Sequence, residues 1–291
     1  MTSDNRRASW VRSERLRALG KPIAISIYAG LNIGLVLYDI RLGPENLDWM
    51  VWEALPDAIA GGDMYGGGTR VPFVWSPIMG WLMAAVPTLG YWPWVTIHLA
   101  ALVLLRSPLL IALTLVSWGF WTDVAGGNVF TFAFVAGVLA LRGSRTASLF
   151  SVSFMLLMPR PVLIPLTAVV LWRQRDIWIP AATLFVAHAA VVIATGHAEP
   201  WVRALVAYGS SSAEFDIGLT HFIGPGWLLI GLPIAMILVR QGLIGWAGLA
   251  ISPYLVPQYL LVPLVDLQRA AHRPGPPKSE PRAAPEASVY D

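Results

Sequence analysis

The chain has 291 residues, 56% of them hydrophobic and 13% charged, with a mean hydropathy of +0.61. Soluble domains carry about 25% charged residues, so the composition excludes an ordinary soluble domain and points to an integral membrane protein. The net charge of +3 and pI near 9.4 do not indicate nucleic acid, because the cations cluster at the ends of apolar segments, as the positive-inside rule requires.

Residues 1–21 carry Arg6, Arg7, Arg12, Arg15, Arg17 and Lys21 against Asp4 and Glu14 and read as a basic cytoplasmic N-terminus. The apolar stretch at about 22–38 lacks a small-residue cleavage site and reads as an uncleaved first span. Residues 39–70 then hold six of the 17 acids, namely Asp39, Glu45, Asp48, Glu53, Asp57 and Asp63, against Arg41 and Arg70. This acidic, Gly-rich stretch is expected to be the first external loop and the seat of the chemistry. Within it Trp49, Trp52, Leu55 and Ile59 share a face at helical spacing, which predicts a short helix lying on the outer membrane surface. Asp48 falls at its N-terminal end. An aspartate there is a good N-cap; it is also placed to serve as a general base beside the membrane face. Asp39, at the end of the first span, is the rival base, and capping or snorkelling explains it equally well.

Further apolar segments fall at about 73–89, 91–105, 108–122, 127–141, 147–158, 161–172, 177–195, 222–239 and 243–265. No recurrent ten-residue alternation marks a barrel, so the spans are helices. The expected fold is all-α: a polytopic membrane helical bundle over 22–267, with about 8–10 spans, some short or broken. Residues 268–291 are rich in Pro, Ala and charge and are expected to form a disordered cytoplasmic tail.

Along the bundle four polar breaks stand out. Phe73-Val74-Trp75-Ser76-Pro77 is an aromatic-proline entry into a span, and Gly126-Gly127-Asn128 is a glycine-rich turn whose amides could face a phosphate. Arg142/Arg145 and Arg173/Arg175 both look cytoplasmic. The two short apolar runs between them make a hairpin, with Pro159-Arg160-Pro161 at its far end. An arginine there is costly unless paired or solvated, and it suits bidentate phosphate contact; snorkelling is the bland explanation. The last apolar stretch repeats this arrangement around Ser252-Pro253-Tyr254, followed by Gln258 and Tyr259.

Residues 196–221, with Glu199, Glu214 and Asp216 against Arg203, read as a second external loop, and His221 ends it. One conflict arises at Arg106: two full spans between 73 and 105 place it outside, against the other arginines, so a broken or tilted span is expected there. The five histidines show no i, i+4 pairing, so a histidine metal site is not expected. Cysteine is absent, which excludes thiolate sites. A divalent cation shared by Asp48 and Asp63 is the one cofactor the residues leave open. No Walker A or GxSxG sequence occurs.

In order, DWMVWEALPDAIAGGDMY, FVWSPIMGWLMAAVP, GGNVFTFAFVAGVLALRG, FMLLMPRPVLIPLTAVVLWRQR and ISPYLVPQYLLVPL resemble the GT-C class of membrane glycosyltransferases. The nearest likeness is to the polyprenyl-phosphate-mannose-dependent α-mannosyltransferases of family 87 (DUF2029-like). The resemblance covers about 22–267 through short, degenerate motifs whose order matters more than any single match. The chain departs in having Arg160 where lysine is more usual, Gly127-Asn128 for a Gly-Gln pair, and Gln258 where a histidine is frequent.

The resemblance implies inverting transfer of a sugar, mannose by analogy, from a polyprenyl-phosphate donor to a lipid or glycan acceptor at the external face of a bacterial-type cytoplasmic membrane. It implies Asp48 as base and Arg160 as the phosphate's counter-charge, with Asp63 and Tyr65 orienting hydroxyls. Asn128, Tyr254, Gln258 and His221 are the further expected substrate contacts. The competing expectations are a lipid-linked sugar flippase or small transporter, and a non-catalytic membrane protein. The partners expected are donor, acceptor and membrane lipids, with no nucleic acid.

Overall fold

The computed structural model describes residues 23, 26–34, 47–65, 73–210 and 223–271. Every regular element among them is helical: α1 (26–34), α2 (Leu47–Ala60), α3 (Pro77–Ala84), α4 (Tyr91–Val103), α5 (Pro108–Leu115), α6 (Trp118–Ala125), α7 (Phe130–Leu141), α8 (Arg145–Leu157), α9 (Ile164–Arg173), α10 (Trp178–Ala194), α11 (Ala198–Ser210), α12 (Trp227–Gln241), α13 (Ile244–Ile251) and α14 (Leu264–Ala271). The fold is all-α. Prolines and serines set the starts. Ser76, Ser107 and Ser144 each accept the N–H three residues on, at 3.3, 3.4 and 3.3 Å, and Pro77 and Pro108 take the first helical position, where a missing N–H is harmless.

α7 is the central rod, with Phe130, Phe134 and Val138 all at 1% exposure or less. Its two ends define two ends of the molecule. At one end, Arg142 donates to the carbonyl of Leu105, Gln174 donates to Ala140 O at 2.8 Å, and Arg145 pairs with Asp176 at 3.6 Å. Arg106, Arg142, Arg145, Arg173 and Arg175 therefore gather at a single arginine end. At the other, the Gly126–Asn128 turn precedes α7, and here α2, α3, the Arg160 break and the Tyr254 break converge. The expected hairpin is present: α8 rises from the arginine end, the chain turns at Pro159–Pro161, and α9 returns.

This geometry resolves the conflict at Arg106. The segment Pro77–Leu89 starts at Ser76, beside Leu157, and ends next to Tyr91, whose ring lies 5.4 Å from that of Trp49. Both its ends are at the glycine end, so it does not run the length of the bundle. The 108–122 stretch is likewise two helices, α5 and α6, bent by 67°.

Several expectations are corrected. The Trp49/Trp52/Leu55/Ile59 stripe does not lie on a membrane surface: Trp52 and Leu55 are 2% and 0% exposed and pack into the protein core. The 196–221 stretch begins not as loop but as α11, and the last helix runs to Ala271, beyond the boundary placed at 267. Among the described residues one helical stretch, Arg175–Ala194, is long and apolar enough to cross a membrane, or two if the bent α5–α6 pair counts as one. The other apolar helices are shorter, in keeping with the short and broken segments expected at the Pro and Gly breaks. Residues 1–21 and 272–291, Asp39 and His221 lie outside the described residues.

Candidate functional site

Three of the polar breaks meet. The Arg160 guanidinium donates from Nη1 to the Tyr254 hydroxyl at 3.0 Å, and its carbon stands 5.8 Å from the ring centroids of both Trp75 and Tyr254. That is within cation–π range of two rings. Each partner is fixed by its local sequence. Pro161 pushes Arg160 into an extended conformation (φ −108°, ψ 123°), and α8 stops at Leu157 just ahead of Pro159. Pro253 ends α13 in the same way, and the Ser252 hydroxyl donates to the Tyr254 carbonyl, holding that turn. α13 reaches Arg160 because Gly248 lies against the Pro161–Leu163 turn; a Cβ there would stand 2.2 Å from the Val162 carbonyl oxygen.

The extended 73–76 segment carries Trp75, and its backbone groups are satisfied from outside it. Ser76 N donates to Leu157 O at 2.9 Å, the Tyr65 hydroxyl donates to Trp75 O at 3.0 Å, and the Trp201 indole donates to Val74 O at 3.2 Å. Trp75 also tilts against Trp52, centroids 4.7 Å apart, which ties α2 to the arginine. Beyond Tyr254 the rings continue through Tyr259 (5.7 Å) to Phe130 (5.2 Å).

The Gly126–Asn128 turn is a structural joint rather than an open cradle. The Gly127 carbonyl accepts from the indoles of both Trp52 and Trp94, each at 3.0 Å. Its φ of +72° favours glycine, and a Cβ would come within 2.6 Å of the Trp49 ring. Asn128 is 4% exposed; its Oδ1 accepts the Val129 N–H at 2.7 Å and its carbonyl faces His98 Nε2 at 2.8 Å. This places the expected substrate contact inside the protein.

Beneath the joint is a buried pair of ionisable side chains. His98 and Asp123 are both fully buried, 3.8 Å apart. Asp123 accepts from Phe130 N at 3.0 Å, Thr131 N at 2.6 Å and the Thr131 hydroxyl at 2.6 Å, capping α7 from seven residues upstream. Both imidazole nitrogens face carbonyl oxygens, Trp94 O at 2.9 Å and Asn128 O at 2.8 Å. A carbonyl can only accept, so each ring nitrogen bonds its carbonyl only by donating a hydrogen. A lone Asp in the apolar run SWGFWTDVAGG was the available signal, since an ionisable residue in such a run needs a partner.

The remaining candidates are placed as follows. Asp48 occupies the second position of α2, one turn before Trp52; its side chain lies outside what the structure describes. Asp63 is exposed, held through its backbone N–H to Ala58 O at 2.9 Å. Tyr65 is half-buried, and burial pushes its phenol above the ordinary value. Gln258 follows the Tyr254 break, and its buried Oε1 has no hydrogen-bond partner among the described residues. No group of three or more metal-ligating side chains occurs among the described residues.

Comparison with protein-family models, with curated proteins and with solved structures finds no match to this chain. The site therefore stands on its geometry alone. That geometry is an arginine between two aromatic faces, with a phenol as its hydrogen-bond partner, tied to the acidic helix α2 through the Trp75–Trp52 contact. Chemically it suits an anion with a bulky neighbour.

Proposed function

We propose that the chain is a polytopic, GT-C-like membrane glycosyltransferase that moves a sugar from a polyprenyl-phosphate donor to a lipid or glycan acceptor at the external face. The observation that carries this reading is the convergence of Trp75, Arg160 and Tyr254 at the end of the bundle where α2 begins. Sequence breaks far apart in the chain thus supply one cationic, aromatic-walled site, in the order the family resemblance implies. Membrane residence is supported by composition and by the lipid-like surface of α12, where Leu228, Leu229, Leu232, Met236 and Ile237 are each at least half exposed.

In this reading the Asp48 carboxylate takes the proton of an acceptor hydroxyl as its oxygen attacks the anomeric carbon. The bond from that carbon to the phosphate oxygen breaks on the opposite face, and the electron pair leaves with the lipid phosphate. Arg160 stabilises the charge that develops there. Asp63 and Tyr254 orient hydroxyls at the rim, whereas the Tyr65 hydroxyl is committed to Trp75 O. The test incubates purified protein with polyprenyl-phosphate mannose and candidate acceptors, wild type beside Asp48→Asn and Arg160→Ala. Transfer in the wild type and its loss in both variants is the expected result; undiminished transfer by Asp48→Asn rules out the assigned base. A carrier role is less favoured, because the polar groups cluster at one end of the bundle and not at its middle, where transporters bind.

A further inference from the structure

A second feature lies away from that site. Between α8, α9 and α10 runs a crevice of about 730 Å³ whose walls include Val152, Met155, Thr167, Leu171, Trp178 and Phe185. Its volume is in the range of small-molecule sites. Thr167, the one hydroxyl-bearing residue of the wall, is about four residues and roughly 6 Å along α9 from Leu171.

Two properties say what the crevice holds. The first is charge. Leu171 is followed two residues later by Arg173, and Trp178 is preceded by the Arg175–Ile177 turn, so this mouth opens at the arginine end. There Arg142, Arg145, Arg173 and Arg175 stand near Asp176, which Arg145 already engages at 3.6 Å. Trp172 and Trp178, 72% and 51% exposed, flank the mouth, and Arg175 lies over the Trp172 ring at 5.9 Å. Exposed tryptophans beside arginines mark a headgroup level. The second is the Thr167 hydroxyl, which has no hydrogen-bond partner among the described residues. Thr114, Thr122 and Thr183 each donate to the carbonyl four residues back, at 2.7, 3.0 and 3.0 Å. Thr167 does not, although its oxygen is buried.

We infer that this crevice binds one acyl chain of an anionic glycerophospholipid. Its phosphate rests on Arg173 and Arg175, and its acyl chain lies along the apolar wall. The inference rests on the membrane reading of the chain and not on glycosyl transfer.

The test uses the full chain, delipidated in detergent, and native mass spectrometry after addition of phosphatidylglycerol or phosphatidylcholine. The wild type should retain phosphatidylglycerol about thirtyfold better, the preference two surface arginines confer. Arg173→Gln/Arg175→Gln should abolish that preference while keeping weak binding of both lipids. Ala182→Trp, filling the crevice, should remove both adducts, whereas Ala190→Trp on the same helix but outside the wall should keep them. Adducts undiminished in Ala182→Trp, equal retention of both lipids by the wild type, or displacement by inorganic phosphate would each overturn the assignment. So would a dimer that Ala182→Trp dissociates, since that gives the crevice to a second copy. Release of the chain from membranes by carbonate washing would instead refute the membrane reading, and is scored separately.

Discussion

Replacing Asp123 by Asn keeps the side chain's volume and removes its charge. The carboxylate accepts three hydrogen bonds, two from backbone N–H groups and one from Thr131, and faces His98 at 3.8 Å, with neither side chain exposed. The amide oxygen of Asn can serve the two Thr131 donors, but its NH2 then opposes the Phe130 N–H, and His98 loses its acidic neighbour. Breaking a buried pair in this way costs about 3–5 kcal/mol. At about 2–4 °C per kcal/mol for a chain of this class, the melting temperature should fall by roughly 6–20 °C. His98→Gln, which removes the ring between the Trp94 and Asn128 carbonyls, should be destabilising by itself. The double variant should be less damaged than the two losses added together, with a coupling of about 1–3 kcal/mol.

The assay is thermal unfolding in detergent followed by tryptophan emission. Trp52 and Trp94 report directly, because both indoles hang on the Gly127 carbonyl above the pair. An Asp123→Asn variant within about 2 °C of wild type, as a surface change would be, refutes the ion pair. Strict additivity in the double variant refutes it equally.

Gly127→Ala should destabilise by about 2–4 kcal/mol, combining the left-handed backbone cost with the clash against Trp49, and should blue- or red-shift tryptophan emission; an unchanged melting curve contradicts the joint. Arg160→Lys should retain far less transfer than a conservative change suggests, because a lysine cannot present a planar cation to both Trp75 and Tyr254; kinetics on the purified variant decide. Burial raises the Tyr65 phenol, so the folded state holds that proton more tightly than the unfolded state does. Its contribution to stability is complete below the ordinary phenol range and is lost as pH rises through it. Melting temperatures of Tyr65→Phe should accordingly fall less steeply than wild type on the alkaline side, and parallel curves would refute this.

How much was legible in the sequence differs by element. The helix over Leu47–Ala60, the α8–α9 hairpin and the breaks at Arg160 and Tyr254 follow from helical spacing and from prolines, which act locally and leave a local signature. The arginine clusters also placed both ends of that hairpin. The number of full-length helices did not follow, since short apolar runs do not reveal whether a segment traverses the bundle or folds back, as Pro77–Leu89 does.

The sequence by itself thus determined an all-helical, strongly apolar chain and named Arg160, Tyr254 and Trp75 as separate landmarks. Only the tertiary structure decided that they are one site, that the α2 stripe faces inward, and that Asn128 belongs to a joint. Only it, too, joined His98 to Asp123 across 25 residues, with Asp123 capping a helix from seven residues upstream. The physical reason is distance along the chain. Caps, proline breaks and helical faces are set by neighbours within a turn or two, whereas a guanidinium between two rings or a buried ion pair is set by how whole helices pack.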